Sequence, residues 1–90
     1  MTKPRVGVIG VGHLGKEHAR LYHKLGALAA VVDADGARAA EIAGKYGVSH
    51  YTDFRQLFGK VDAVSIAVPT VGHHEVAKEF LSRGVPALVE

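Results

Sequence analysis

Ninety residues carry 48% hydrophobic side chains, 11 Lys and Arg against 9 Asp and Glu, and no cysteine. That length and apolar fraction allow one small folded domain and exclude disorder, while the missing thiols exclude disulfides and thiolate metal sites. The net charge of +2 is scattered, and Val6–Val11 is too short for a signal segment or a membrane span, so a cytoplasmic protein with no nucleic-acid and no membrane partner is expected.

Apolar runs alternate with helix-period segments along the whole chain. The first strand is predicted over Arg5–Ile9. A helix follows over His13–Leu25, with Leu14, His18, Leu21 and Leu25 on one face and Gly26 as its stop. A second strand, Leu28–Val32, leads to a helix over Ala37–Tyr46, where Ala39, Ile42, Ala43 and Tyr46 share a face and Gly47 ends it. A short strand is predicted over Val48–Tyr51, and Thr52 is placed to cap a brief helical turn through Phe58. Ala63–Val68 is apolar except for Ser65, the pattern of a strand covered on both faces. Pro69 and Thr70 break it. The last helix is predicted over Gly72–Arg83, with Val76, Ala77, Phe80 and Leu81 inward and Gly84 at its end. Pro86–Glu90 begins a fifth strand. Strands that alternate with helices through short connections form a parallel sheet with right-handed crossovers. The expected fold class is therefore α/β, a doubly wound parallel sheet of five strands in the order 3-2-1-4-5, with the sixth strand of that arrangement absent.

The chemistry is concentrated at the end of the first strand. Gly10-Val11-Gly12-His13-Leu14-Gly15 is a G-x-G-x-x-G between a strand and a helix. Gly10 suits the tight turn. Gly12 lets backbone approach a pyrophosphate, and Gly15 lets helix and strand pack closely. The helix N-terminus offers unpaired N–H groups to phosphates. Asp33 closes the second strand, where a carboxylate accepts hydrogen bonds from the adenosine ribose and repels a 2′-phosphate. NAD is thus expected in preference to NADP. Asp35 competes for this role, but Asp33 directly ends the apolar run.

Further motifs extend the pattern. His18 follows Gly15 as G-x-x-H, and Asp33-x-Asp35-x-x-Arg38-Ala39 follows the second strand. Tyr46-Gly47-Val48, Tyr51-Thr52-Asp53 and Val61-Asp62-Ala63-Val64 come next. Pro69-Thr70-x-x-His73 and Gly84-Val85-Pro86-Ala87-Leu88-Val89-Glu90 complete the set. With these motifs the chain resembles, over essentially its whole length, the N-terminal Rossmann domain of the glucose–fructose oxidoreductase / inositol dehydrogenase family (Gfo/Idh/MocA). The resemblance implies an NAD(H)-binding module whose parent enzyme moves a hydride between NAD and a hydroxyl-bearing carbon of a sugar-like or cyclitol substrate. In that family the last strand runs into Glu-Lys-Pro, whose lysine serves catalysis near the nicotinamide. Here Glu90 matches the glutamate, and the lysine and the C-terminal substrate domain are expected to be missing from this chain. Residues 1–90 are thus expected to be a partial dinucleotide-binding domain without catalytic residues of its own.

The candidate cofactor residues are Gly10, Gly12, His13, Leu14, Gly15, Asp33, Arg38, Pro69, Thr70 and His73. His13 can approach the pyrophosphate or stand in solvent. Arg38 can flank the adenine or simply pair with Asp35 on an exposed helix face. Pro69, Thr70 and His73 lie past the carboxyl end of the fourth strand, the rim where doubly wound sheets bind ligands; alternatively Pro69 only ends a strand and Thr70 only caps a helix. Ser65 reads as a small core residue. No metal site is expected, because His73 and His74 point about 100° apart on a helix and no acid completes a set. The fifth strand, as an apolar edge, is expected to join a second copy near the last helix in a homodimer. Two other classes fit parts of the sequence: a self-associating half-Rossmann structural unit with little or no cofactor binding, and a different nucleotide binder, methyltransferase-like or CoA-binding, sharing the glycine turn.

Overall fold

A computed structural model describes residues 4–67 and 70–89, the side chains of residues 70–73 excepted. Five strands, β1 (Val6–Ile9), β2 (Leu28–Val32), β3 (Ser49–Tyr51), β4 (Ala63–Ile66) and β5 (Ala87–Val89), form one sheet in the order β3-β2-β1-β4-β5. Every pairing is parallel. Helices α1 (His13–Lys24), α2 (Gly36–Tyr46) and α3 (Thr70–Ser82) and a 3-10 turn over Phe54–Leu57 make the connections. The expected order 3-2-1-4-5 is the observed one. Since β1 lies between β2 and β4, the chain turns to opposite sides of it on leaving β1 and on reaching β4. The carboxyl ends of β1 and its neighbours therefore border a crevice at the switch point.

Both faces of the central strands are covered, which is why they read as continuous apolar runs. Val8, Val11 and Val31 pack with Ala19 of α1 and with Ile42 and Ala43 of α2. On the other face Ile9, Val32, Val64 and Ile66 pack with Leu57, Val76 and Phe80. Phe80 is fully buried and sits 5.0 Å from the Phe58 ring centroid; burying such a side chain contributes about 2–3 kcal/mol.

Several local expectations are corrected. On α1 the buried residues are Gly15 and Ala19, whereas Leu14 and Leu21 are each 48% exposed and Leu25 is 64% exposed. The three leucines lie roughly 100° round the helix from Gly15. The close approach of Gly15 to β1, described below, decides which side turns inward. On α3, Val76 and Phe80 are buried but Leu81 is 59% exposed. The 3-10 turn is capped by Asp53, not Thr52: Asp53 Oδ1 accepts the Arg55 N–H at 2.9 Å, and Gln56 Oε1 accepts the Asp53 N–H at 3.3 Å. Asp-x-x-Gln is a reciprocal capping box, which satisfies two backbone donors where Thr52 would have satisfied one. Helix α3 begins at Thr70, two residues before the expected start at Gly72.

Candidate functional site

The turn after β1 is built around two glycines that nothing else can replace. Gly10 has φ 88°, the left-handed region. A Cβ on Gly15 would stand 1.7 Å from the Gly10 carbonyl oxygen, so helix and turn touch at a distance that only hydrogen permits. Gly12 differs. It is the N-cap of α1 with an ordinary φ of −71°, and the nearest atom to a Cβ there is Arg38 Nη1 at 3.7 Å, a van der Waals contact. Protein packing therefore does not demand a glycine at position 12.

The start of α1 is also electrostatically prepared. No side chain caps it and no acid occupies its first turn. Its first-turn N–H groups and positive dipole end thus face the loop with no acid of the helix's own first turn to offset them. His13 and Leu14 open the helix, both exposed. Lys16 and Arg38 join Val11, Gly12, His13 and Glu41 in lining a cleft of about 380 Å³.

Asp33 lies beside the turn, at the end of β2. Its Oδ2 accepts the Val11 N–H at 2.9 Å and its Oδ1 accepts the Asp35 N–H at 2.8 Å. It thereby ties the glycine turn to the end of β2 while its side chain stays 12% exposed. Arg38 Nη1 lies 3.7 Å from Asp33 Oδ2 and Arg38 Nη2 lies 4.0 Å from Asp35 Oδ2. Asp35, the other acid considered for the ribose, has a separate role: its Oδ1 accepts the Ala37 and Arg38 N–H groups and caps α2. Beyond Asp33 a second cleft, about 330 Å³, runs along Ile9, Val32, Ala34 and Thr52–Arg55. The Asp33–Arg38 pair stands between the two clefts.

The structure thus brings Gly10, Gly12, His13, Gly15, Asp33 and Arg38 together, with Leu14 on the outer side of the same turn. Pro69 lies outside the described residues. Thr70 and His73 belong to α3, but their side chains also lie outside the description. A feature invisible in the sequence is the pairing of His18 Nδ1 with the Ser65 hydroxyl at 2.8 Å. Ser65 is completely buried, and this bond links α1 to β4 directly behind the glycine turn. The two residues are 47 positions apart, and neither sits in a pattern that announces the other. Among the described residues no three His, Cys, Asp or Glu side chains are grouped to hold a metal ion.

A larger cleft, about 530 Å³, lies elsewhere, along His18, Leu21, Tyr22, Lys24, Leu25 and Leu88. It is mainly apolar, and no Asp or Glu is among the described residues that line it.

Residues 4–90 match the family model of the oxidoreductase family with an NAD-binding Rossmann fold (GFO_IDH_MocA). The chain belongs to this family. It is 43% identical to UDP-N-acetylglucosamine 3-dehydrogenase of Acidithiobacillus ferrooxidans, over all of this chain and 29% of that protein. A solved structure of that enzyme superposes with a TM-score of 0.91, covering 99% of this chain and 28% of the other. Inositol 2-dehydrogenase of Pseudarthrobacter chlorophenolicus is 39% identical across 96% of this chain and 27% of its own length. GenD2 from gentamicin A biosynthesis, solved in complex with NAD, superposes with a TM-score of 0.92 at 25% identity, covering 99% of this chain and 27% of that one. The family is NAD-binding, and this chain spans less than a third of these relatives.

Proposed function

We propose that residues 1–90 form a dinucleotide-binding domain that holds NAD(H) on the turn Gly10–Gly15 and Asp33. The observation that carries the reading is the contrast among the three glycines: Gly10 and Gly15 are required by the fold, whereas nothing in the backbone or the packing around Gly12 requires a glycine. The residues suit the group. The first-turn N–H groups of α1, from His13, Leu14 and Gly15, would receive the pyrophosphate, with His13 at its side. Asp33 would receive the ribose hydroxyls, and Arg38 would flank the adenosine. Pro69, Thr70 and His73 would line the nicotinamide side. When bound, NAD supplies a nicotinamide able to take up or deliver a hydride. This chain's residues would bind it, orient it and keep its phosphates beside the helix dipole.

The relatives that share this domain carry names of sugar-nucleotide and inositol dehydrogenases. On that basis the activity served is hydride exchange between NAD and a hydroxyl-bearing carbon of a sugar-like or cyclitol compound. The protein is read as cytoplasmic; among the described residues no helix is long and apolar enough to cross a membrane.

Self-association is part of the same proposal. β5 is the sheet edge among the described strands. Leu88 is 52% exposed, Val89 43% and Leu81 59%. A second copy seated on the β5 and α3 side would cover this apolar strip.

Calorimetric titration with NADH and NADPH tests the cofactor reading. NADH is expected to bind more tightly than NADPH, and Asp33→Ala to weaken NADH. A folded chain that binds neither overturns it. Light scattering at tens of micromolar is expected to give twice the 9.5 kDa chain mass; a monomer removes the dimer.

A further inference from the structure

We infer that His18 is a positioning residue for the cofactor: through the buried Ser65 hydroxyl it fixes the helix that receives the pyrophosphate against the strand whose end borders the nicotinamide. This rests on the reading that the chain binds NAD(H) at the glycine turn. It extends that reading from where the phosphates are held to what sets the other end of the dinucleotide.

Ser65 lies in β4 among Ala63, Val64 and Ile66, and it is completely buried. A hydroxyl taken out of water is unfavourable unless it is hydrogen-bonded. Packing alone asks for an alanine or a valine in a strand covered on both faces. His18 Nδ1 meets the hydroxyl at 2.8 Å, so the polar group in the core is matched to one particular residue of α1.

The place of the pair decides what it can do. Helix α1 is held on β1 and β2, with Ala19 against Val8, Val11 and Val31. Toward β4 it is registered at Gly15 and at His18. A Cβ on Gly15 would lie 3.5 Å from the Ala67 Cβ, an ordinary packing distance, and one turn along, His18 takes Ser65. Gly15 and His18 are neighbours on one helix face, and Ser65 and Ala67 alternate onto one side of the sheet. The Ala67 N–H continues the ladder by donating to the Ile9 carbonyl at 2.8 Å, and α3 opens soon after, at Thr70. One short stretch thus leads from the Ser65 hydroxyl to the rim assigned to Pro69, Thr70 and His73. Apolar contact is non-directional, whereas a hydrogen bond weakens steeply with distance and angle. The His18–Ser65 bond therefore sets how far the N-terminus of α1 stands from the end of β4. That is the span a dinucleotide bridges between pyrophosphate and nicotinamide.

Loss of the bond loosens the nicotinamide end and leaves the adenosine and pyrophosphate contacts, which belong to the glycine turn and Asp33. ADP-ribose, which is the dinucleotide without its nicotinamide, separates the two. The test compares wild type, Ser65→Ala, His18→Leu and His18→Asn, each titrated with NADH and with ADP-ribose after circular dichroism confirms folding. The emission of the bound reduced nicotinamide is recorded alongside. Asparagine places an amide where Nδ1 stands, whereas leucine keeps the bulk and removes the bond. Ser65→Ala and His18→Leu are expected to bind NADH about fivefold more weakly, the scale of one net hydrogen bond, and ADP-ribose within about twofold of wild type. His18→Asn is expected to keep the wild-type NADH affinity and emission. If Ser65→Ala does not fold, the two variants at the half-buried His18 decide. Equal weakening for both ligands marks a merely structural bond and overturns the inference. So does unchanged NADH affinity, or a His18→Asn variant that behaves as His18→Leu. A wild type that binds NADH no more tightly than ADP-ribose has no nicotinamide contact to position, which overturns the inference while the dinucleotide reading stands. A folded wild type that binds neither overturns that reading, and this inference with it.

Discussion

A side-chain carbon on Gly15 would stand 1.7 Å from the carbonyl oxygen of Gly10. That relationship fixes the rotation of α1 on the sheet, and with it the distance between the helix N-terminus and the loop. Gly15→Ala must push helix and turn apart. It is expected to cost at least about 3 kcal/mol, the upper range for overpacking, because the clash is with backbone and no side chain can yield. Urea unfolding measures it directly.

Gly12→Ala is the companion experiment with the opposite pattern. The added carbon would meet only Arg38 Nη1 at 3.7 Å, so stability is expected to change by about 1 kcal/mol or less. NADH affinity is expected to fall at least about tenfold, because the methyl occupies the space through which a pyrophosphate approaches the backbone. A variant that loses stability and keeps affinity would reverse the roles assigned to the two glycines.

The His18–Ser65 bond makes a third prediction. Ser65 has no exposure to solvent, so its hydroxyl depends on the protein for partners. Ser65→Ala is expected to cost about 1–2 kcal/mol. In a double-mutant cycle with His18→Ala the coupling is expected to be about 1 kcal/mol. Zero coupling would mean that the pair merely share a location.

Asp62 gives an acid-sensitive contact at the other end of the sheet. The Arg5 N–H donates to Asp62 Oδ2 at 2.8 Å, and the Arg5 guanidinium lies against the same carboxylate. These contacts, the backbone hydrogen bond first, hold its pKa below the ordinary carboxylate value. A folded-state pKa that is depressed stabilises the fold above the unfolded-state pKa and loses that contribution as pH falls through the folded one. The urea midpoint of the wild type is therefore expected to exceed that of Asp62→Asn slightly at neutral pH. The gap is expected to close as pH drops below about 4. Because both side chains are half exposed, added salt should narrow the gap as well.

Most of the architecture was legible in the sequence because it follows from patterns with a fixed period. Strands that are apolar on both faces, helices between them and a glycine turn after the first strand leave few topologies. The rotation of α1 was not legible. Leu14, Leu21 and Leu25 form the more apolar stripe, yet contact between Gly15 and Gly10 overrides it. The cap at Asp53 was missed by one position, because Thr52 and Asp53 are both capping residues and only the reach of Gln56 chooses between them. The place of Asp33 at the end of β2 is legible as that of a ribose-binding candidate, but its bond to Val11, which braces the glycine turn, depends on the register of β2 beside β1. No local pattern encodes that register.

The central claim is that the glycine turn and Asp33, rather than the larger apolar cleft, form the cofactor site. The most direct measurement is a residue-resolved amide spectrum of the isotopically labelled chain, recorded as NADH is added. The largest shifts are predicted at Val11–Gly15 and at Asp33–Arg38, with Leu21, Leu25 and Leu88 little changed. Shifts centred on those leucines, or no shifts in a folded chain, would contradict the account.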